Sequence, residues 1–348
     1  MKKNAYKVAI LGATGAVGEV MREILAERNF PVSELFLLAS ERSAGDTLDF
    51  AGKAVRVRDA ATFDWTGVDI GLFSAGAAAS EIYAPKAAAA GAVVIDNTSR
   101  YRYEEDIPLV VPEVNPQRIA DYQTRNIIAN PNCSPIQMLL ALKPIADSVG
   151  LELVVVSTYQ AVSGAGSRAI QELGRQTLGI FKQEEVAPAV FPKQIAFNCL
   201  PQIDVFQDNG YTKEEMKMLW ESRKILEIPD LPLSATCVRV PVFYGHSEAV
   251  NVLTRKKLSA EEMRALLCNA PGVQIWDERE TGGWPTALDS AGKDATWVGR
   301  IREDCSHERG LNFWVVADNI RKGAALNSVQ IAERSEEHTS ELQSRLHL

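Results

Sequence analysis

The chain has 348 residues, 46% of them hydrophobic and 24% charged, which is the composition of a globular protein long enough for two cores. Its 37 basic and 45 acidic residues leave a net charge of −8, with no long basic run, so nucleic acid and anionic membranes are poor partners while small anions remain open. No stretch is apolar enough to span a bilayer, no signal segment precedes the first strand-like run, and five cysteines without a C-x-x-C pair point to reduced thiols, no metal and a cytoplasmic setting.

The first strand-like run covers residues 8–11 and ends in the glycines of 12–18. A helix follows, with Val20, Met21, Ile24 and Leu25 on one face and Pro31 beyond its end. Further strand-like runs lie at 35–39, 68–73, 93–95 and 127–129, with a helix-prone alanine-rich stretch at 77–90. Strands alternating with helices predict a doubly wound, Rossmann-like α/β unit. Beyond it, longer apolar strands at 151–158, 236–242, 249–254 and 311–317 lack regular crossovers. They predict an α+β domain on a mixed or antiparallel sheet, one face of which needs cover from helices or a partner subunit. Residues 318–333 read as a helix returning to the first domain. The expected division is therefore 1–130 plus 318–333 for the nucleotide domain and 131–317 for the second. The string from Arg334 onward resembles the translation of a sequencing-library adapter, and 334–348 is read as a non-native tail.

Gly12, Gly15 and Gly18 lie between a strand and a helix, the context a dinucleotide-binding turn requires, although G-x-x-G-x-x-G departs from the usual spacing. A bare tight turn is the alternative. At the end of the second strand an NAD site would carry an acidic residue for the ribose hydroxyls. Here Arg42, between Ser40 and Ser43, suits a 2′-phosphate instead, with Glu41 turned to solvent, and NADP is the expected cofactor. Cys133 follows a strand and precedes a helix that Ser134 would cap and Pro135 would begin. A helix N-terminus favours thiolate, so Cys133 is the candidate nucleophile and the other four cysteines are structural. Of the histidines before the tail, His246 sits at a strand end and is preferred over His307, which lies in a very polar stretch. Arg239 lies inside an apolar strand, where an unpaired charge is costly, so a ligand or an ion pair is expected there.

Several segments together resemble the aspartate-semialdehyde dehydrogenase family: Gly12 to Gly18, Ser40 to Gly45, Asp96-Asn97-Thr98-Ser99, Val110 to Asn115, Asn132-Cys133-Ser134, Thr158 to Gly166, Arg239 to Glu248 and Asp318 to Ala325. The resemblance implies NADPH-dependent reduction of L-4-aspartyl phosphate to L-aspartate 4-semialdehyde, with release of phosphate, in a homodimer built on the second domain. It implies catalytic roles for Cys133, Gln160 and His246, and substrate contacts at Arg102, Asn132, Glu214, Lys217 and Arg239. It implies cofactor contacts at Gly12, Thr14, Gly15, Ala16, Val17, Gly18, Ser40, Arg42, Ser43, Ser74, Ser163, Gly164, Gly166 and Asn319. Glu214 and Lys217 would share a helix face at i and i+3, a spacing that exposed Glu/Lys pairs also show. Two other readings stand beside this one. One is a reductase of another acyl phosphate such as N-acetylglutamyl phosphate, and the other a catalytically silent dinucleotide-binding module.

Overall fold

The computed structural model describes residues 5–345, with side chains up to Ser335. It divides into two compact units, one running to Asn132 and resuming at Ala324, the other spanning Cys133–Gly323. Residues 318–323, expected with the first domain, group with the second.

The first unit is built on a seven-stranded sheet. β1 (Tyr6–Leu11), β2 (Val32–Ala39), β3 (Thr47–Phe50), β4 (Lys53–Asp59), β5 (Ile70–Phe73), β6 (Val93–Asp96) and β7 (Ile127–Ala129) take the order β3-β4-β2-β1-β5-β6-β7. All neighbours are parallel except β3 and β4. The order reverses at β1, and in a doubly wound sheet ligands bind outside the carboxyl ends of the strands at such a point. β1 and β2 are short apolar runs because both faces of the sheet are covered. The β3–β4 hairpin escaped the sequence reading because most of its side chains are exposed and no apolar run marks it. α1 (Ala16–Glu27) packs Met21, Ile24 and Leu25 into the core, and α2 (Ala77–Ala89) joins β5 to β6. The C-terminal helix, Leu326–Arg345, closes the same core with Leu326, Val329, Ile331 and Ala332. It opens on a π-helical turn, Arg321–Ala325, and continues through the segment read as a tail, where neither proline nor glycine interrupts it.

The second unit opens with α3 (Cys133–Val149) and carries a six-stranded mixed sheet. Its strands are β8 (Leu151–Gln160), β9 (Leu233–Arg239), β10 (His246–Thr254), β11 (Val273–Ile275), β12 (Thr296–Glu303) and β13 (Gly310–Ala317), in the order β11-β12-β13-β10-β8-β9. α4 (Ser167–Lys182), α5 (Lys213–Leu226) and α6 (Ala260–Cys268) complete it. Several strand ends differ from expectation, two of them beside Arg239 and His246. β9 ends at Arg239 rather than at 242, because Pro241 has no N–H for the ladder; β10 begins at His246 rather than at 249.

Alternate residues of β8 face opposite ways. Val154, Val156, Thr158 and Gln160 are buried, while Val155 and Tyr159 are 41% and 37% exposed. The open face continues across β10 and β13 with Ala249 and Trp314, and Tyr159 packs on Trp314 with ring centroids 5.5 Å apart. A cavity of about 320 Å³ lies on this face, lined in part by Ser247, Trp284, Arg300 and Trp314.

Candidate active site

In the first unit β1 runs into a turn whose glycines have separate tasks. Gly12 adopts φ +91°, and a Cβ there would sit 2.9 Å from the Ala75 backbone nitrogen. A Cβ on Gly18 would come within 2.2 Å of the Gly12 carbonyl, so a side chain at either position would fill the turn. Gly15 precedes α1 as its N-cap without a side-chain cap, which leaves the first amides of the helix, from Ala16 and Val17 onward, for an anion. Thr14 is exposed beside them. Ser74 follows β5 and donates its N–H to the Leu11 carbonyl at 2.8 Å. After β2, the single turn Glu41–Ser43 presents Ser40, Glu41 and Arg42 exposed and Ser43 half-buried, and Arg42 makes no ion pair among the described residues. The turn therefore has the shape of a dinucleotide-phosphate site, and Arg42 is an exposed cation in the turn after β2.

Two arginines of this unit stand in contrast. Arg100 is paired with Glu81 at 3.3 Å and Glu104 at 2.9 Å. Arg102 is buried and donates to the carbonyls of Asn130 and Asn97 at 2.9 and 3.0 Å. The turn between them and β6 is tied by Asp96, which accepts from Thr98 and Ser80.

In the second unit Cys133 is the first helical residue of α3, so the cap falls at Asn132 and not at Ser134. Ser134 is inside the first turn, where its hydroxyl accepts from Gln160 Nε2. Gln160, at the end of β8, also donates to Glu214 Oε1 at 3.2 Å. Glu214 and Lys217 are buried on one face of α5, paired at 2.9 Å, and Lys217 reaches Asp204 at 2.9 Å as well. Burial alone would raise the Glu214 carboxyl, but the Lys217 ammonium, Gln160 and Arg239 overturn it and hold the group at about 2. Burial likewise opposes the Lys217 charge, and the Glu214 and Asp204 carboxylates outweigh it and hold Lys217 above its ordinary value.

Arg239 ends β9, directly opposite Gln160 on β8. Its guanidinium donates to the Ala161 carbonyl at 2.7 Å and lies within electrostatic reach of both Glu214 and Cys133. His246 begins β10, fully buried, and its Nδ1 accepts the Ala161 N–H at 3.0 Å. Burial and then the Arg239 charge hold the imidazole down to about 3, against the pull of Glu214. The ring is neutral near pH 7, and with Nδ1 accepting, its proton resides on Nε2. A side chain on Gly164 would crowd both groups, 3.1 Å from Arg239 Nη1 and 3.2 Å from His246 Nε2. Ser163 hydrogen-bonds Asn319, whose Oδ1 also accepts from Gly245 N at 3.0 Å, and Gly166 ends the turn at φ +88°.

Cys133, Gln160, Glu214, Lys217, Arg239 and His246 thus belong to one connected group of the second unit. Residues 7–122 match the family described as semialdehyde dehydrogenase, NAD binding domain, and residues 142–322 the semialdehyde dehydrogenase, dimerisation domain. Aspartate-semialdehyde dehydrogenase 2 of Vibrio cholerae is 59% identical over 329 residues, 94% of this chain and 97% of that protein. The chain belongs to the aspartate-semialdehyde dehydrogenase family.

It is an oxidoreductase of that family. Structures of relatives agree with the fold described above. One is aspartate semialdehyde dehydrogenase II from Vibrio cholerae complexed with ASA, with TM-score 0.94 and 58% identity over 95% of this chain and 98% of that one. Another is the Candida albicans enzyme with NADP, with TM-score 0.73 and 25% identity over 96% and 99%. Among the described residues no helix is long and apolar enough to cross a membrane.

Within this aspartate-semialdehyde dehydrogenase family fold, sequence reasoning missed Asp204, the partner of Lys217, and the pairing of Ser134 with Gln160. Asp204 lies in no motif, Ser134 was read only as a helix cap, and the two partners are 13 and 26 residues away. The helix under Glu214 was legible, since Thr212 and Glu215 form a capping box and T-x-x-E is its signature.

Proposed function

We propose that the chain catalyses the reversible NADPH-dependent reduction of L-4-aspartyl phosphate to L-aspartate 4-semialdehyde, releasing phosphate, in the synthesis of aspartate-family amino acids (lysine, threonine, methionine, diaminopimelate). The observation that carries this reading is the charge order around one thiol. Arg239, in reach of Cys133, suits an α-carboxylate, and Glu214 beyond it suits an α-ammonium. Lys217 spends two of its three N–H donors on Glu214 and Asp204 and keeps one for a phosphate oxygen; the family resemblance assigns a further phosphate contact to Arg102.

The Cys133 sulfur, at a helix start and near a guanidinium, attacks the acyl carbon; a C–S bond forms as the C–O bond to phosphate breaks. Gln160 orients the acyl group through its anchorage on Ser134 and Glu214. His246 presents Nε2–H to the carbonyl oxygen as charge builds on it, and the Ala161 N–H keeps the ring in that tautomer. When bound, the reduced nicotinamide dinucleotide supplies the hydride that takes the thioester to the aldehyde level. The C–S bond then breaks and returns the thiolate, with the overall proton passing to phosphate. Gly12, Gly15 and Gly18 with the start of α1 would hold the pyrophosphate, and Ser40, Arg42 and Ser43 would hold the 2′-phosphate. The chain works as a cytoplasmic homodimer that covers the open face of the second sheet.

Glu214 also argues against N-acetylglutamyl phosphate, whose acylated nitrogen carries no charge to meet a buried carboxylate. A coupled assay with aspartyl phosphate, N-acetylglutamyl phosphate and glyceraldehyde 3-phosphate tests the choice. Aspartyl phosphate is expected to be the preferred substrate by a wide margin, and a preference for either other compound overturns the reading. Cys133→Ala is expected to lose turnover while still binding NADP(H); substantial residual activity would exclude the thioester.

A further inference from the structure

Beyond the charges around it, Arg239 has three further contacts. Its backbone exchanges hydrogen bonds with Leu200, 2.9 Å in each direction. Its guanidinium donates to the Ala161 carbonyl at 2.7 Å. The last contact is the ring of Phe191, whose centroid lies 6.0 Å from Arg239 Cζ, at the outer edge of the range over which a cation is drawn to an aromatic face.

Phe191 belongs to a stretch without helix or strand, residues 183–199, so no backbone ladder places its ring. α4 places it instead. Glu172, 1% exposed, accepts the backbone N–H groups of Ala189 and Val190 on one carboxylate oxygen at 2.9 and 2.6 Å, and that of Phe191 on the other at 3.3 Å. One turn later the buried Gln176 accepts from the N–H groups of Ile195 and Ala196 at 2.9 and 3.2 Å, and it donates to Glu172 at 3.3 Å. A buried carboxylate is costly unless its oxygens are bonded, and here both are. Successive amides on one acid fix the backbone at Phe191, and the ring packs against the apolar cluster of Leu173, Ile195 and Leu200. The same irregular segment therefore meets Arg239 twice, at its backbone through Leu200 and at its guanidinium through Phe191.

A guanidinium that takes a carboxylate through two parallel bonds needs its plane set as well as its charge present. A single bond to the Ala161 carbonyl leaves the fork free to turn about that bond, and a flat ring beside it restricts the turn. We propose that Phe191 is a positioning residue for the substrate α-carboxylate, its ring setting the plane of the Arg239 guanidinium from a loop that Glu172 pins. The inference rests on the role given above to Arg239. Phe191 acts through Arg239, and the α-carboxylate takes no part in bond making, so loss of the ring weakens binding before and at the transition state alike. Such a loss appears in KM and not in kcat.

The test uses the full-length protein in the reverse direction, with aspartate semialdehyde, phosphate and NADP. Phe191→Leu should raise KM for aspartate semialdehyde by about five- to tenfold and keep kcat within about twofold, with KM for phosphate and for NADP unchanged. Phe191→Tyr, which keeps the ring, should stay within about twofold of wild type throughout. The decisive comparison is with 3-aminopropanal, the same aldehyde without its α-carboxylate, for which kcat/KM should be the same in Phe191→Leu and wild type. A ring that only packs the loop would not tell the two aldehydes apart. Equal losses with both aldehydes, a fall in kcat alone, or wild-type kinetics in Phe191→Leu overturns the inference and leaves the proposed reaction standing. Should Phe191→Leu not fold, Phe191→Met, which also lacks the ring, is read in its place. A wild type that does not use aspartate semialdehyde overturns the proposed reaction, and this inference with it, before any variant is made.

Discussion

The Glu214–Lys217 pair offers a quantitative test of how the second unit holds charge. The two side chains are only 7% and 11% exposed and meet at 2.9 Å, so screening by solvent is slight. Lys217→Met leaves Glu214 buried with Gln160 and Arg239 but without its closest cation. Removing one partner of a buried pair costs about 3–5 kcal/mol, and the remaining donors put this case near the lower end, at about 3 kcal/mol. Glu214→Gln should cost about the same, roughly 3 kcal/mol, because it removes the depressed carboxylate and leaves Lys217 only Asp204, which is more exposed. The double variant removes both charges together and should recover part of the loss, with a coupling of about 2 kcal/mol. Five of the six tryptophans lie in the second unit, so denaturant unfolding followed by fluorescence reports on that unit. The linkage has a definite sign. The Glu214 carboxyl is depressed from 4.5 to about 2, so its contribution is complete above pH 4.5 and is lost as pH falls toward 2, on the order of 3 kcal/mol in all. The difference between wild type and Glu214→Gln should shrink in that window. A coupling below about 0.5 kcal/mol, the range of exposed pairs, would refute the buried-pair argument.

Arg42→Ala should raise the NADPH KM by about tenfold, as expected for one lost charge-assisted phosphate contact, and leave NADH use unchanged; equal losses with both cofactors would make Arg42 structural. Arg102→Ala should raise KM for the acyl phosphate, and for phosphate in the reverse reaction, by about ten- to a hundredfold. Arg100→Ala should be mild, because Glu81 and Glu104 already occupy that charge. If Arg100→Ala raises the phosphate KM and Arg102→Ala does not, the phosphate contact belongs to Arg100 instead.

The parts of the fold legible in the sequence were those with a local cause. Apolar periodicity and glycine placement marked β1, the turn after it and α1, and the position of Cys133 between strand and helix was readable from its neighbours. The boundaries of β9 and β10 were less so, since the apolar run continued through Val240 and Val242 although Pro241 ends the ladder. The β3–β4 hairpin, exposed at the sheet edge, had no apolar pattern to find. At the site, charge types and motif order were legible, whereas pairings were not. Nothing near Lys217 announces Asp204, and nothing near His246 announces that Ala161 fixes its tautomer, because both contacts are made by folding distant chain together.

The C-terminal helix has a consequence for synthesis. Val8, Ile10, Ile24 and Leu37 emerge early, yet the residues that complete their core, from Ala325 to Ala332, emerge last. All residues of the second unit lie between. A growing chain therefore carries an unfinished apolar surface on its leading part while the 191 residues of Cys133–Gly323 follow. Domains generally fold as units during synthesis, and exposed apolar surface is what chaperones recognise. Of the two units, the one whose translation begins earlier is then the later to reach its native state, and in ribosome-bound chains of increasing length its protection from protease should appear only after Ala332 has left the exit tunnel.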